Sequence, residues 1–168
     1  MYIERALEPL VRRYSENFKI VAVTGPRQVG KTTMLKHLME EEAESGVDRV
    51  YVTLDNTAIL QTAKEDPALF LQRYRPPVLI DEIQKAPELL PYIKMIVDER
   101  DDCGSVWITG SQPLHLMKAV SESLAGRVGI VEMLGLSHSE VAGTPSEPYL
   151  PSADYFMRRV DMAKPFGV

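Results

Sequence analysis

An apolar run that turns into glycine, four intervening residues, Gly-Lys-Thr and then a helical pattern constrains this chain more than any other feature. The segment is Ile20-Val21-Ala22-Val23-Thr24-Gly25-Pro26-Arg27-Gln28-Val29-Gly30-Lys31-Thr32-Thr33. The β-branched run predicts a strand and the pattern after Lys31 a helix, so the glycines mark the loop between them. In that context Gly25 and Gly30 let the backbone curl until successive amide hydrogens point at one anion. The helix that follows offers its positive N-terminal end to the same anion. Lys31 supplies a point charge for β- and γ-phosphates, and the Thr32 hydroxyl is placed to ligate Mg²⁺. The segment therefore reads as a nucleotide phosphate loop, with Gly25, Pro26, Arg27, Gln28, Val29, Gly30, Lys31, Thr32 and Thr33 as its binding set. Arg27 is expected to face solvent or a partner, because the backbone of such a loop does the cradling.

The chain has 168 residues, 45% hydrophobic and 26% charged, which fits one soluble globular domain with a full core. Its single cysteine, Cys103, cannot form an internal disulfide, so a reducing cytoplasm is expected. Cys103 follows Asp101 and Asp102 in a turn-like stretch, where acidic neighbours disfavour a reactive thiolate. The net charge of −5, with no Lys/Arg cluster, shows no broad nucleic-acid footprint. No apolar run approaches membrane-spanning length.

Strand and helix patterns alternate along the chain. Residues 1–16 predict an N-terminal helix through Ile3, Leu7, Leu10, Val11 and Tyr14. Lys19–Thr24 is the first strand and Lys31 to about Glu44 a helix, stopped by Gly46. Arg49–Leu54 is the second strand; a helical pattern from Thr57 to Tyr74 is interrupted at Asp66-Pro67. The third strand, Val78–Glu82, is continuously apolar up to its two acids, as in a parallel sheet buried on both faces. A helix through Leu89, Leu90, Ile93, Ile96 and Val97 precedes the fourth strand, Ser105–Thr109. A helix over Leu114–Leu124 precedes the fifth, Val128–Met133. Five such alternations predict a three-layer α/β fold whose ligand sits at the carboxyl ends of the strands. Trp107 and the methionines Met34, Met39, Met95 and Met117 are expected in packing. His37, His115 and His138 lack metal-ligand spacing. A proline-containing tail, residues 141–168, is expected to be extended, with one further helix over Asp154–Lys164.

The third strand carries a second constellation. In a phosphate-loop fold it is expected to lie beside the first strand, so that Asp81 reaches the Mg²⁺ shell opposite Thr32. Glu82 then faces the space beyond the γ-phosphate, where a carboxylate can orient a water and accept its proton. The fourth strand ends in Thr109-Gly110-Ser111-Gln112 at the same edge. Ser111 or Gln112 can bond the γ-phosphate or the water there, or simply serve a strand-to-helix turn. Arg127, in Ser123-Leu124-Ala125-Gly126-Arg127, is either an arginine inserted into a neighbouring subunit's site or one paired locally with a surface acid.

Taken in order, these motifs resemble one group within the AAA+ ATPases, the prokaryotic AAA-domain proteins that usually carry a nuclease-like C-terminal domain. The resembling residues are Gly25–Thr33, then Leu79-Ile80-Asp81-Glu82-Ile83-Gln84, then Ile108-Thr109-Gly110-Ser111 and Ser123–Arg127. Leu134-Gly135-Leu136-Ser137 follows, with Gly135 where the family often has proline. The resemblance covers about residues 1–140. It implies a P-loop NTPase fold with a five-stranded, mostly parallel sheet, and Mg²⁺-dependent binding and hydrolysis of ATP. By the same resemblance Lys31 and Thr32 take the Walker A roles and Asp81 and Glu82 the Walker B roles. Ser111 falls where relatives place a polar sensor, and Arg127 near an arginine finger, which implies possible self-association. Relatives continue into a helical lid and further domains. This chain ends at Val168, so the lid is expected to be absent and the hydrolysis slow, with a protein partner or further domain driven by it. A non-hydrolysing nucleotide-binding module and a helicase-type motor stay open as alternatives. A GTPase is disfavoured because no Asn-Lys-x-Asp segment occurs.

Overall fold

Apolar runs become strands and 3.6-periodic stretches become helices in the computed structural model, which describes residues 2–111, 120 and 123–143. The elements are α1 (Glu8–Asn17), β1 (Ile20–Thr24), α2 (Lys31–Glu44), β2 (Val50–Thr53), α3 (Thr57–Glu65) and α4 (Pro67–Arg73). They continue with β3 (Val78–Asp81), a 3₁₀ turn (Ile83–Lys85), α5 (Leu89–Asp98), β4 (Val106–Gly110), β5 (Val128–Glu132) and α6 (His138–Val141). The expected break at Asp66-Pro67 is present. The Asp66 side chain accepts from Leu69 N (2.9 Å), and Pro67 opens α4, where its missing N–H costs nothing. The first helix starts later than the expected residue 1. Pro9 sits in its first turn, and a proline ring clashes with the carbonyl four residues earlier, so the helix cannot extend back through Arg5.

Among the described residues the sheet has five strands in the order β2-β3-β4-β1-β5, and every pairing is parallel. One expectation is corrected here. β3 does not lie beside β1, because β4 is hydrogen-bonded to both. The axes of β1 and β3 therefore lie about 10 Å apart by strand spacing, and Asp81 reaches Thr32 past the end of the intervening strand. β1, β3 and β4 are buried along their whole length, whereas the edges β2 and β5 are only partly so.

Alternation along β1 builds the two faces. Ile20 and Ala22 point to a core with Phe70, Ile80, Ile93 and Ile108, under α3, α4 and α5. Val21 and Val23 point to the opposite core with Met34, Leu35, Leu38 and Trp107, under α1 and α2. Trp107 is buried as expected, and its indole N–H donates to Ser15 Oγ at 2.8 Å. Met95 departs from expectation: α5 turns Leu89, Leu90, Ile93 and Val97 inward, leaving Met95 60% exposed. Cys103 is exposed and unbonded. Among the described residues no helix is long and apolar enough to cross a membrane. The expected helices over Leu114–Leu124, for the most part, and Asp154–Lys164, with His115 and Met117, lie outside the described residues.

Gly25 is demanded by this packing rather than by the loop alone. It follows β1 with φ of +139°, and a Cβ there would lie 2.0 Å from the Met133 carbonyl oxygen. Met133 N in turn donates to the Thr24 carbonyl at 2.8 Å, so the two segments are locked together at this point. Gly25→Ala is expected to destabilise the fold by about 2–3 kcal/mol, the sum of a glycine-only conformation and a backbone clash. Thermal unfolding of the purified variant checks this; an unchanged melting temperature would show that β5 can move away freely.

Candidate active site at the carboxyl ends of the strands

The chain leaves β1 through Gly25 and enters α2 from Gly30, whose φ is +92°; Gln28 is also left-handed at +63°. These turns fold the loop back so that the first helical residue is Lys31. Lys31 is only 6% exposed, and its ammonium donates to the carbonyls of Gly25 (2.9 Å) and Pro26 (2.7 Å). Burial lowers its pKa, opposed by the charges of Glu82 and Asp81. A cation held this way by weak carbonyl acceptors is ready to exchange them for stronger anionic ones. A cavity of about 440 Å³ opens beside it, lined by Arg27, Gln28, Gly30, Lys31, Thr32 and Thr33, with Asp55, Glu82 and Lys85 across from them.

Asp81 closes one side of the site. Its Oδ1 accepts from the Thr32 hydroxyl at 3.0 Å and, more closely, from the Thr109 hydroxyl. Its Oδ2 accepts from the Tyr51 hydroxyl at 3.1 Å. Burial, with the Asp81 charge, pushes the Tyr51 phenol up to about 12, so it stays a donor at neutral pH. The Thr32 hydroxyl and the Asp81 carboxylate form a hard oxygen pair of the kind Mg²⁺ takes alongside water and phosphate oxygens.

Glu82 follows with φ of +60°, which turns the chain out of β3 and into the 3₁₀ turn. Its Oε2 accepts from Ser111 Oγ (3.1 Å) and, closely, from Gln84 Nε2. The predicted residues Lys31, Thr32, Asp81, Glu82 and Ser111 thus meet at one edge of the sheet. Gln112 lies outside the described residues.

Arg127 is elsewhere. Its carbonyl accepts from Ile20 N, at the opposite end of β1 from the phosphate loop, roughly 13 Å away along the strand. Its guanidinium grips Asp98 with two bonds, Nη2 to Oδ2 at 2.9 Å and a closer Nε to Oδ1. Within one chain it cannot reach the cavity.

Spacing along the sequence does not reveal several participants. Thr109 and Tyr51 reach Asp81 from neighbouring strands, and only the register of β2, β3 and β4 brings them there. Lys85 pairs with Asp55 at the cavity rim. Glu8, His37 and Glu41 come together from α1 and α2, a grouping His37's position does not announce; Arg12 already bridges the two carboxylates, at 3.3 and 2.6 Å.

Arg5 is the least visible participant. Buried, it donates to the Val29 carbonyl of the loop (2.7 Å), to the Leu134 carbonyl (2.8 Å) and to Glu140 Oε1 (3.0 Å). It thereby ties the phosphate loop to the segment after β5. Burial alone would raise the Glu140 pKa, but the N–H groups of Ser137 and Ala6 and the Arg5 guanidinium prevail and hold it at about 2. A depressed carboxyl pKa contributes stability above the unfolded value that is lost as the group protonates. The contribution should be complete above pH 4.5 and vanish toward pH 2. Melting temperature should fall over that window, and Glu140→Gln should remove about 1–2 kcal/mol at neutral pH, roughly 3–6 °C. Parallel pH–melting curves for wild type and Glu140→Gln would contradict this.

A sequence profile described as "AAA domain" matches residues 17–142. The uncharacterized protein Rv2008c of Mycobacterium tuberculosis is 33% identical over 137 residues, which is 82% of this chain and 30% of that protein. The chain thus spans under a third of the length of the curated relatives it matches. The crystal structure of the DnaC helicase loader superposes with a TM-score of 0.52 at 16% identity, covering 75% of this chain and 87% of that one. AMPPCP-bound DnaA from Aquifex aeolicus gives 0.55 at 17% identity, covering 79% and 48%. At such identities the two structures share the fold.

Proposed function

The chain belongs to the AAA domain family, and from that premise we propose that it binds and hydrolyses ATP with Mg²⁺ at the carboxyl ends of β1, β3 and β4. The observation that carries this reading is the meeting of Lys31, Thr32 and Glu82 around one cavity that begins at a helix N-terminus, with Asp81 bonded to Thr32. The amides of residues 25–33 and the first turn of α2 receive the β- and γ-phosphates. Lys31 gives up the Gly25 and Pro26 carbonyls for phosphate oxygens. Thr32 and Asp81 supply protein oxygens for Mg²⁺, which when bound offsets charge on the phosphates. Glu82 orients the attacking water and takes its proton, with Ser111 holding the carboxylate. AMPPCP bound to DnaA, which shares the fold, supports an adenine nucleotide as the ligand.

Hydrolysis drives or switches a protein partner or further domains of a longer chain. With a net charge of −5 and no basic cluster, the chain carries no broad nucleic-acid footprint, which favours a protein target. Arg127 acts in the site of a neighbouring copy, since it lies at the far end of the sheet from its own.

Phosphate release with and without Mg²⁺, measured per site across a range of protein concentrations, tests this. We expect slow, Mg²⁺-dependent turnover that rises with concentration in wild type and does not in Arg127→Ala, since an arginine finger is worth roughly 10³–10⁵ in rate. Nucleotide binding without any phosphate release would identify a non-hydrolysing module. Concentration-independent turnover that survives Arg127→Ala would leave the Asp98 pair as that residue's whole role.

A further inference from the structure

Gln84 stands two residues beyond Glu82, on the 3₁₀ turn that Glu82's left-handed conformation creates. Its side-chain Nε2 donates closely to Glu82 Oε2 and also approaches Ser111 Oγ at 3.2 Å. Ser111 Oγ donates to the same carboxylate oxygen at 3.1 Å. The three side chains close a small polar ring with Glu82 Oε2 at its apex. No hydrogen bond reaches the other carboxylate oxygen, Oε1, among the described residues, and Glu82 lines the cavity.

The orientation of the Gln84 amide is informative. Its carbonyl oxygen is, among the described residues, the one buried side-chain polar atom with no hydrogen-bond partner. Buried acceptors are nearly always paired, so an orphan needs a reason. Turning the amide over would set that carbonyl against an acceptor-only carboxylate and make it compete with Glu82 for the single Ser111 hydroxyl hydrogen. The amide thus leaves its own acceptor unpaired in order to hold Glu82.

We propose that Gln84 is the positioning residue for Glu82: its amide N–H, with Ser111, fixes one carboxylate oxygen so that the other is presented to the attacking water. This rests on the reading of Glu82 as the base. The ring spares the carboxylate a rotational search, an effect that appears in the chemical step and not in nucleotide affinity. The short spacing from Glu82 to Gln84 suits this role. The pair shares one rigid turn, held by Lys85 N to Glu82 O (3.0 Å) and by the buried side chain of Ile83.

The test is single-turnover hydrolysis of ATP by wild type, Q84L, E82Q and the double variant, with ATP affinity measured separately by titration. Q84L is expected to slow the chemical step roughly 10–100-fold, the range typical when a supporting partner of a catalytic group is removed, at unchanged affinity. In the E82Q background Q84L should have no further effect, because there is no carboxylate left to position. A merely structural Gln84 would lower turnover by the same factor in both backgrounds, or weaken nucleotide binding, and either result overturns the proposal. Wild-type turnover in Q84L, with E82Q inactive, overturns the role of Gln84 and leaves Glu82 as the base. Full activity in E82Q overturns both. Should Q84L fail to fold, Q84M keeps the length of the side chain without its donor, and the same comparison with and without E82Q decides the question.

Discussion

Lys31→Ala is expected to weaken ATP and ADP binding at least 10²-fold while leaving the fold intact. Among the described residues the buried ammonium bonds the carbonyls of Gly25 and Pro26, so it sits inside the loop that would hold the anion. Hydrogen bonds to charged groups are worth about 1.5–3 kcal/mol each, and two such contacts to phosphate suffice for that factor. The loss to folding is smaller. Removing the side chain frees two loop carbonyls, but it also removes a cation that burial disfavours, as its lowered pKa records. Isothermal titration gives the affinity and a thermal melt gives the stability. Equal affinity in wild type and Lys31→Ala would refute the phosphate-cradle reading.

Glu82→Gln is the second large effect. Glutamine keeps the length of the side chain and can still bond Ser111 and Gln84, so nucleotide affinity should hold. It cannot accept the proton of water, and turnover should fall by roughly 10²–10⁴. The neighbouring acid behaves differently. Asp81 accepts from Thr32, Thr109 and Tyr51, and Asp81→Ala should change the dependence on Mg²⁺ concentration rather than the chemistry alone. Single-turnover rates at several Mg²⁺ concentrations separate the two. Undiminished turnover in Glu82→Gln would move the base to another residue.

Much of this site is readable in the order of residues because its parts are local. The Gly25–Thr33 loop, the helix from Lys31 and the pair Asp81-Glu82 each occupy a few consecutive positions whose conformation follows from glycine, capping and apolar runs. The helix break at Asp66-Pro67 is legible for the same reason. The onset of α1 is also marked locally, by Pro9, although the apolar spacing that continues past it towards the N-terminus masks the signal.

The sequence by itself determined the element types and the chemistry at their ends: a phosphate loop, two acids and a polar strand end on one parallel sheet. The tertiary structure decided which of those ends meet. It inserted β4 between β1 and β3, brought Tyr51 and Thr109 onto Asp81, and set Arg5 under the loop. It also sent Arg127 to the far end, where it pairs with Asp98. These contacts join residues tens of positions apart. Spacing carries the period of a single strand or helix, but strand order and register are set by packing both sheet faces at once, and no local pattern records that.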